Sequence, residues 1–148
     1  MISIKRIIST LVILSIFSLC GNYVIMSPVD TIKSNQMYHG IIVPNDVLTA
    51  LTYIPQEHRN IVLAICYVES RFTGNVISAT GDYGIMQINM AWHSKEFDFS
   101  RMLDNEYNIY CGYIIFLRCL TLANNDTYKA LMYYNGSNEY PKLFKQLI

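Results

Sequence analysis

The run Ile61-Val62-Leu63-Ala64-Ile65-Cys66-Tyr67-Val68 is eight consecutive apolar or aromatic residues, and it ends on a carboxylate, Glu69. A segment of this kind can only be stable inside a core, and its length with the flanking residues suits a helix better than a strand. Side chains three and four positions apart share a helix face, so the neighbours of Glu69 one turn back are Ile65 and Cys66, with Val62 a turn further. None of them is charged, and the next turn offers Phe72 and Thr73. No cation is placed locally to hold the carboxylate ionised, and desolvation should raise its pKa. A carboxyl that keeps its proton near neutral pH is suited to general acid catalysis. For this segment alone, a helix end whose Glu simply reaches water is the competing reading.

Downstream, Glu69-Ser70-Arg71-Phe72 is followed by Ser78 and then by Gly81-Asp82-Tyr83-Gly84-Ile85-Met86-Gln87-Ile88-Asn89. Further on come Asn108-Ile109, Gly112-Tyr113 and Leu117, then Ala130-Leu131-Met132-Tyr133-Tyr134-Asn135-Gly136. These blocks, in this order, resemble the lytic transglycosylases of the soluble-transglycosylase type. That family's pattern runs Glu-Ser-x-Phe, a Ser nine residues after the Glu, Gly-Ala-x-Gly-Leu-Met-Gln, Asn-Ile-x-x-Gly and Ala-Leu-x-x-Tyr-Asn-Ala-Gly. Gln87 stands eighteen residues after Glu69 and Ser78 nine after it, so the match needs no gap. Tyr140 to Leu147 looks like the family's closing helix, and the resemblance covers about Val43 to the C-terminus.

The resemblance implies a lysozyme-like domain of the α+β class, predominantly α-helical, with at most a small β element. It implies an enzyme, a peptidoglycan lytic transglycosylase cleaving the MurNAc-GlcNAc β-1,4 bond and leaving a 1,6-anhydro-MurNAc end. Glu69 would act as general acid and then as base, with no cofactor and no metal. Ser78, Gln87 and Tyr134 resemble the substrate-contacting residues, and Tyr134 looks like the tyrosine whose hydroxyl orients the catalytic carboxylate. Ordinary alternatives exist: backbone hydrogen bonds for Ser78 and Gln87, a core position for Tyr134. Asn108 and Gly112 read as helix packing, since Gly admits a close backbone. Trp92 reads as a packing residue and is left outside the site.

Asp82 departs from the pattern, which has Ala there. The stretch Asp82 to Asn89 is equally similar to c-type lysozymes, where the Asp is the second catalytic carboxylate. Members associated with secretion, conjugation and invasion systems also resemble this chain in carrying an Asp. Asp82 is therefore either a partner of Glu69 in a hydrolytic muramidase or a turn-capping residue at the edge of the substrate site. The short interval from Glu69 favours the second. A non-catalytic glycan-binding module is the remaining alternative.

Composition agrees with a compact single domain: 148 residues, 52% hydrophobic and 15% charged. The formal charge is zero, and without Lys5 and Arg6 nine basic residues face eleven acidic ones, so nothing supports nucleic-acid binding. The expected partners are peptidoglycan glycan strands and, by resemblance, a secretion, conjugation or pilus apparatus. Residues 1–20 read as a secretion signal, with Lys5-Arg6 as the basic region and Ile7 to Leu19 as the apolar one. Cleavage after Cys20 fits best. An uncleaved anchor extended through Tyr23 to Met26, and a lipid attachment at Cys20-Gly21, are the other two readings. The expected location is exported, periplasmic or cell-wall associated. Residues 21–42 read as a linker or arm and 43–148 as the catalytic domain.

Helices are expected from about Asn45, taken as a cap, to Tyr53; from Pro55 to Arg71; from Asp104, as cap, through Leu120; and from Asp126 or Thr127 to Asn135. A further helix is expected to begin near Tyr83 or Gly84 and carry Gln87. Cys66, Cys111 and Cys119 admit at most one bridge, because eight residues of helix put about 12 Å between the last two. Buried free thiols are the simpler expectation.

Overall fold

The structure, a computed structural model, describes residues 36–148. Residues 1–20, read as a secretion signal, and most of residues 21–42, read as a linker or arm, lie outside the described residues. The domain is mostly helical with two small antiparallel strand pairs, the α+β class expected.

Strands β1 (Met37–Tyr38) and β2 (Ile41–Ile42) form a hairpin in which Met37 faces Ile42 and Tyr38 faces Ile41. Its two turn residues, His39 at φ 46° and Gly40 at φ 81°, are both left-handed, which matches the twist of a two-residue hairpin. The hairpin is tied to the other end of the chain, because the Tyr38 hydroxyl donates to the Leu147 carbonyl at 3.0 Å. Helix α1 (Asn45–Thr52) buries Val47, Leu48, Ala50 and Leu51. Pro44, not Asn45, occupies its cap position and no side chain caps it. Proline at this point supplies the extended φ/ψ of a cap without needing a hydrogen bond of its own.

Helix α2 (Gln56–Ser70) follows Pro55 and buries six residues in succession, Ile61 to Cys66. A helix buried on every side is the centre of a fold, not its surface. Helix α4 (Asn105–Leu122) packs against α1 and against α5 (Thr127–Asn135). Asp104 caps α4 by accepting from the Glu106 and Tyr107 amides, and Asp126 caps α5 by accepting from Lys129. Gly136, at φ 76°, ends α5. The closing segment Tyr140–Phe144 is a 3-10 helix and inserts Tyr140 and Phe144 into the core beside α2. Cys66, Cys111 and Cys119 are buried free thiols.

Two further expectations need correcting. The segment around Gly84 is not the start of a helix. Strands β3 (Asp82–Tyr83) and β4 (Ile88–Asn89) pair antiparallel, Asp82 facing Asn89 and Tyr83 facing Ile88, with Gly84 to Gln87 as the turn between them. Gly84 at φ 71° and Gln87 at φ 50° are left-handed, which a right-handed helix does not accommodate. The helix comes only after the hairpin, as the four residues Met90–His93 of α3, capped by Asn89. Trp92, on α3, is 82% exposed and so is not a packing residue.

Candidate active site

Glu69 sits in the last turn of α2, where the helix stops abruptly. Arg71 and Phe72 are both left-handed, at φ 54° and 63°, and turn the chain away. Two non-glycine residues in that conformation are costly, on the order of 1 kcal/mol each. The Ser70 hydroxyl helps hold the end in place, lying 2.8 Å from the Ile85 carbonyl and 3.1 Å from the Cys66 carbonyl, so it joins α2 to the β3–β4 turn.

The same turn is fixed from below by Asn108, the buried polar side chain of α4. Its Oδ1 accepts from the Met86 amide at 2.8 Å, and its Nδ2 donates to the carbonyls of Tyr83 and Met102, each at 2.9 Å. Gly84 leaves room for it: a Cβ there would lie 2.4 Å from Asn108 Nδ2 and 2.5 Å from the Met102 carbonyl. Gly112 does the same for Met86, whose Sδ would lie 2.5 Å from an added Cβ. Asn108 and Gly112 thus act in packing, and what they pack is the turn that holds Gln87 opposite the end of α2.

The Glu69 carboxylate accepts a 2.5 Å hydrogen bond at Oε1 from the hydroxyl of Tyr140. Tyr134 is one layer behind: its ring stacks on Tyr140 at 6.5 Å and 22°, and its hydroxyl donates to the Met86 carbonyl at 3.1 Å. The hydroxyl bonded to Glu69 is therefore that of Tyr140, which sequence reading did not single out. Among twelve tyrosines, the only signal for it was its place at the head of the closing segment. Tyr134 connects the pair to the hairpin turn.

Burial raises the pKa of Glu69 above its ordinary 4.5. The hydrogen bond from Tyr140 works against this, the charge of Asp82 adds to it, and the Asn135 amide opposes it, with the net shift upward. Burial also acts to raise the Asp82 pKa. Three hydrogen bonds outweigh it, and the net shift is downward from 3.8. Oδ2 of Asp82 accepts from Ser78 Oγ at 2.6 Å and from Thr80 Oγ1 at 2.5 Å, and Oδ1 accepts from Asn89 Nδ2 at 2.7 Å. Asp82 therefore loses its proton first, and its charge makes Glu69 hold its own more tightly. Their surroundings thus drive the two pKa values apart, Glu69 upward and Asp82 downward.

Ser78 also accepts from the amides of Thr80 and Asp82, at 3.2 and 3.0 Å, so its hydroxyl organises the loop before β3. Gln87 is half-buried, and its Nε2 donates to the Gly84 carbonyl at 2.7 Å, which holds the side chain over its own turn. Glu69, Tyr140, Tyr134 and the turn bearing Gln87 thus form one connected group, and Asp82 with Ser78 forms a second on the hairpin. Among the described residues no group of three or more His, Cys, Asp or Glu side chains is placed to hold a metal ion.

Residues 48–142 match the family model of the transglycosylase SLT domain. No curated protein and no solved structure gives a match. The matched span runs from α1 to the closing 3-10 helix and contains Glu69, Asp82 with Ser78, Thr80 and Asn89, Asn108 and the Tyr134–Tyr140 pair. The chain therefore belongs to the transglycosylase SLT family, whose members are peptidoglycan lytic transglycosylases.

Proposed function

We propose that this chain cleaves the bond between N-acetylmuramic acid and N-acetylglucosamine in peptidoglycan with Glu69 as its sole catalytic carboxyl. The protonated Glu69 gives its proton to the glycosidic oxygen as the bond from C1 of the muramic sugar breaks. The carboxylate left behind then takes the proton of that sugar's 6-hydroxyl, whose oxygen bonds to C1 and closes the 1,6-anhydro ring. No water is consumed and Glu69 ends as it began. An internal nucleophile has a high effective concentration, which is why a second carboxyl is not required.

The observation that carries this reading is the contrast between the two carboxyls. Glu69 is half-buried and raised in pKa despite the Tyr140 hydroxyl and the Asn135 amide, whereas both oxygens of Asp82 are engaged by Ser78, Thr80 and Asn89. A hydrolase of this kind needs its second carboxyl free to act as nucleophile or as base for water. Asp82 is better suited to shaping the hairpin edge of the substrate groove and to raising the Glu69 pKa. Ser78, Gln87 and Tyr134 act as substrate-positioning residues around it.

Mass spectrometry of muropeptides released from purified peptidoglycan tests the reading. Products one water lighter than hydrolytic ones, lost with Glu69→Gln and retained with Asp82→Asn, are expected. Reducing-end products that vanish with Asp82→Asn would mean a muramidase instead, and tight glycan binding without turnover would mean a binding module. The site of action is the cell wall after export, in service of a secretion, conjugation or pilus apparatus. That placement rests on the N-terminal segment and on family resemblance. Cell fractionation that left the protein in the cytoplasm, or normal apparatus assembly after deletion, would refute it.

A further inference from the structure

A cavity of about 530 Å³ opens between the C-terminal turn of α2 and the end of the chain. Arg71, Lys142 and Lys145 line it together with Val68, Leu143 and Leu147, and among the described residues no Asp or Glu side chain does. This is an unusual concentration of charge. The described residues hold eight Lys and Arg against ten Asp and Glu, yet three of the eight cations meet here. Elsewhere, Arg101, Arg118 and Lys129 each lie within 4 Å of a carboxylate, and Arg59 is bonded to two backbone carbonyls. In the cavity only Lys142 is so paired, with Glu139. Arg71 is instead laid over the ring of Tyr67 at 4.1 Å, which orients its guanidinium without neutralising it. Cations held beside aliphatic walls suit a ligand with a carboxylate next to a small apolar side chain.

The cavity is separate from the Glu69 site. None of Glu69, Ser78, Asp82, Gln87, Tyr134 or Tyr140 lines it. Tyr67 lies about 160° around α2 from Glu69 at 100° per residue, so the cavity is on the far side of the helix.

We infer that this cavity binds the free C-terminal carboxylate of a short peptide ending in a small apolar residue, such as the peptides carried by the muramic sugars of the proposed substrate. The inference rests on the proposed function for its choice of peptide. Distance permits it: a helix with its side chains is about 10–12 Å across, and an extended peptide of five residues reaches roughly 17 Å. A strand held at Glu69 can therefore place a peptide terminus behind α2. The Arg71 and Lys145 side chains take the carboxylate, and Val68, Leu143 and Leu147 take the terminal methyl group.

The test is titration of the isotope-labelled full chain, observed by two-dimensional NMR, with a pentapeptide ending in D-Ala-D-Ala. The probe is free of glycan, so the result does not depend on cleavage. Saturable shifts at Arg71, Leu143 and Lys145 are expected, weakened at least tenfold when the peptide ends in an amide. The same loss is expected in Lys145→Glu, an exposed position, and in Arg71→Gln, with spectra otherwise unchanged. Absence of saturable shifts overturns the inference, as does inorganic phosphate binding at these residues as tightly as the peptide. Peptidoglycan cleavage without peptide binding would defeat this inference alone, and peptide binding without cleavage would defeat only the proposed function.

Discussion

Asn108→Ala removes the group that holds the β3–β4 turn against α4, and its cost follows from three hydrogen bonds. Asn108 is fully buried, as are Met86 and Met102. The substitution strands the Met86 amide and leaves the Tyr83 and Met102 carbonyls without the donor they share. Each buried group left unsatisfied costs about 1–3 kcal/mol. Carbonyls recover part of this more readily than an amide, so the total should be about 3–5 kcal/mol, including the small cavity. For a domain of this size that is a fall in Tm of roughly 12–20 °C. Urea unfolding gives the value directly, with an unchanged m-value showing that the folded and unfolded states keep their compactness. Asn108→Asp sharpens the test. It keeps the acceptor for Met86 but points a carboxylate oxygen at two carbonyls, so its penalty at neutral pH should equal or exceed that of Ala and should shrink at acid pH, where a protonated carboxyl can donate one bond. A loss under about 1 kcal/mol for Asn108→Ala, or no pH dependence for Asn108→Asp, would refute the assignment.

Tyr140→Phe deletes a hydrogen bond that favours ionised Glu69. The alkaline limb of the pH–activity profile should therefore move upward, with kcat lower by about tenfold as the carboxyl loses its orientation; an unmoved limb would count against the contact. Glu69→Gln should be more stable than the native chain at neutral pH. The native carboxyl carries no penalty below its unfolded pKa of about 4.5 and an increasing one as pH rises through the raised folded value, so the difference should close in acid. Thermal melts of the two chains at matched pH values measure this, and a constant difference would contradict the burial argument. Asp82 runs the other way, its stabilisation present above 3.8 and lost as pH falls through its lowered folded value. Gly84→Ala should cost about 3 kcal/mol or more, from the left-handed backbone and the 2.5 Å approach to the Met102 carbonyl; a neutral effect in denaturant titration would show that the turn yields.

The helices were legible because their signals are local. The unbroken apolar run up to Glu69 can only be a core element, Asp104 and Asp126 stand one residue before their helices, and Asn135-Gly136 marks an end. The catalytic candidate was legible for the same reason, since an isolated carboxylate after eight apolar or aromatic residues has few explanations. The segment from Gly81 to Asn89 was harder to read, because Ile85-Met86-Gln87-Ile88 suits helix and strand alike. What makes it a hairpin is Asn108, more than twenty residues away, which takes the Met86 amide that a helix would have used. Two further outcomes belong to the tertiary structure alone. One is the selection of Tyr140 over Tyr134 as the hydroxyl on Glu69, and the other is the engagement of both Asp82 oxygens within the hairpin. Sequence spacing determines which side chains share a helix face. Which hydroxyl reaches a carboxylate 71 positions away depends on how the closing segment packs against α2, and only the assembled core decides that.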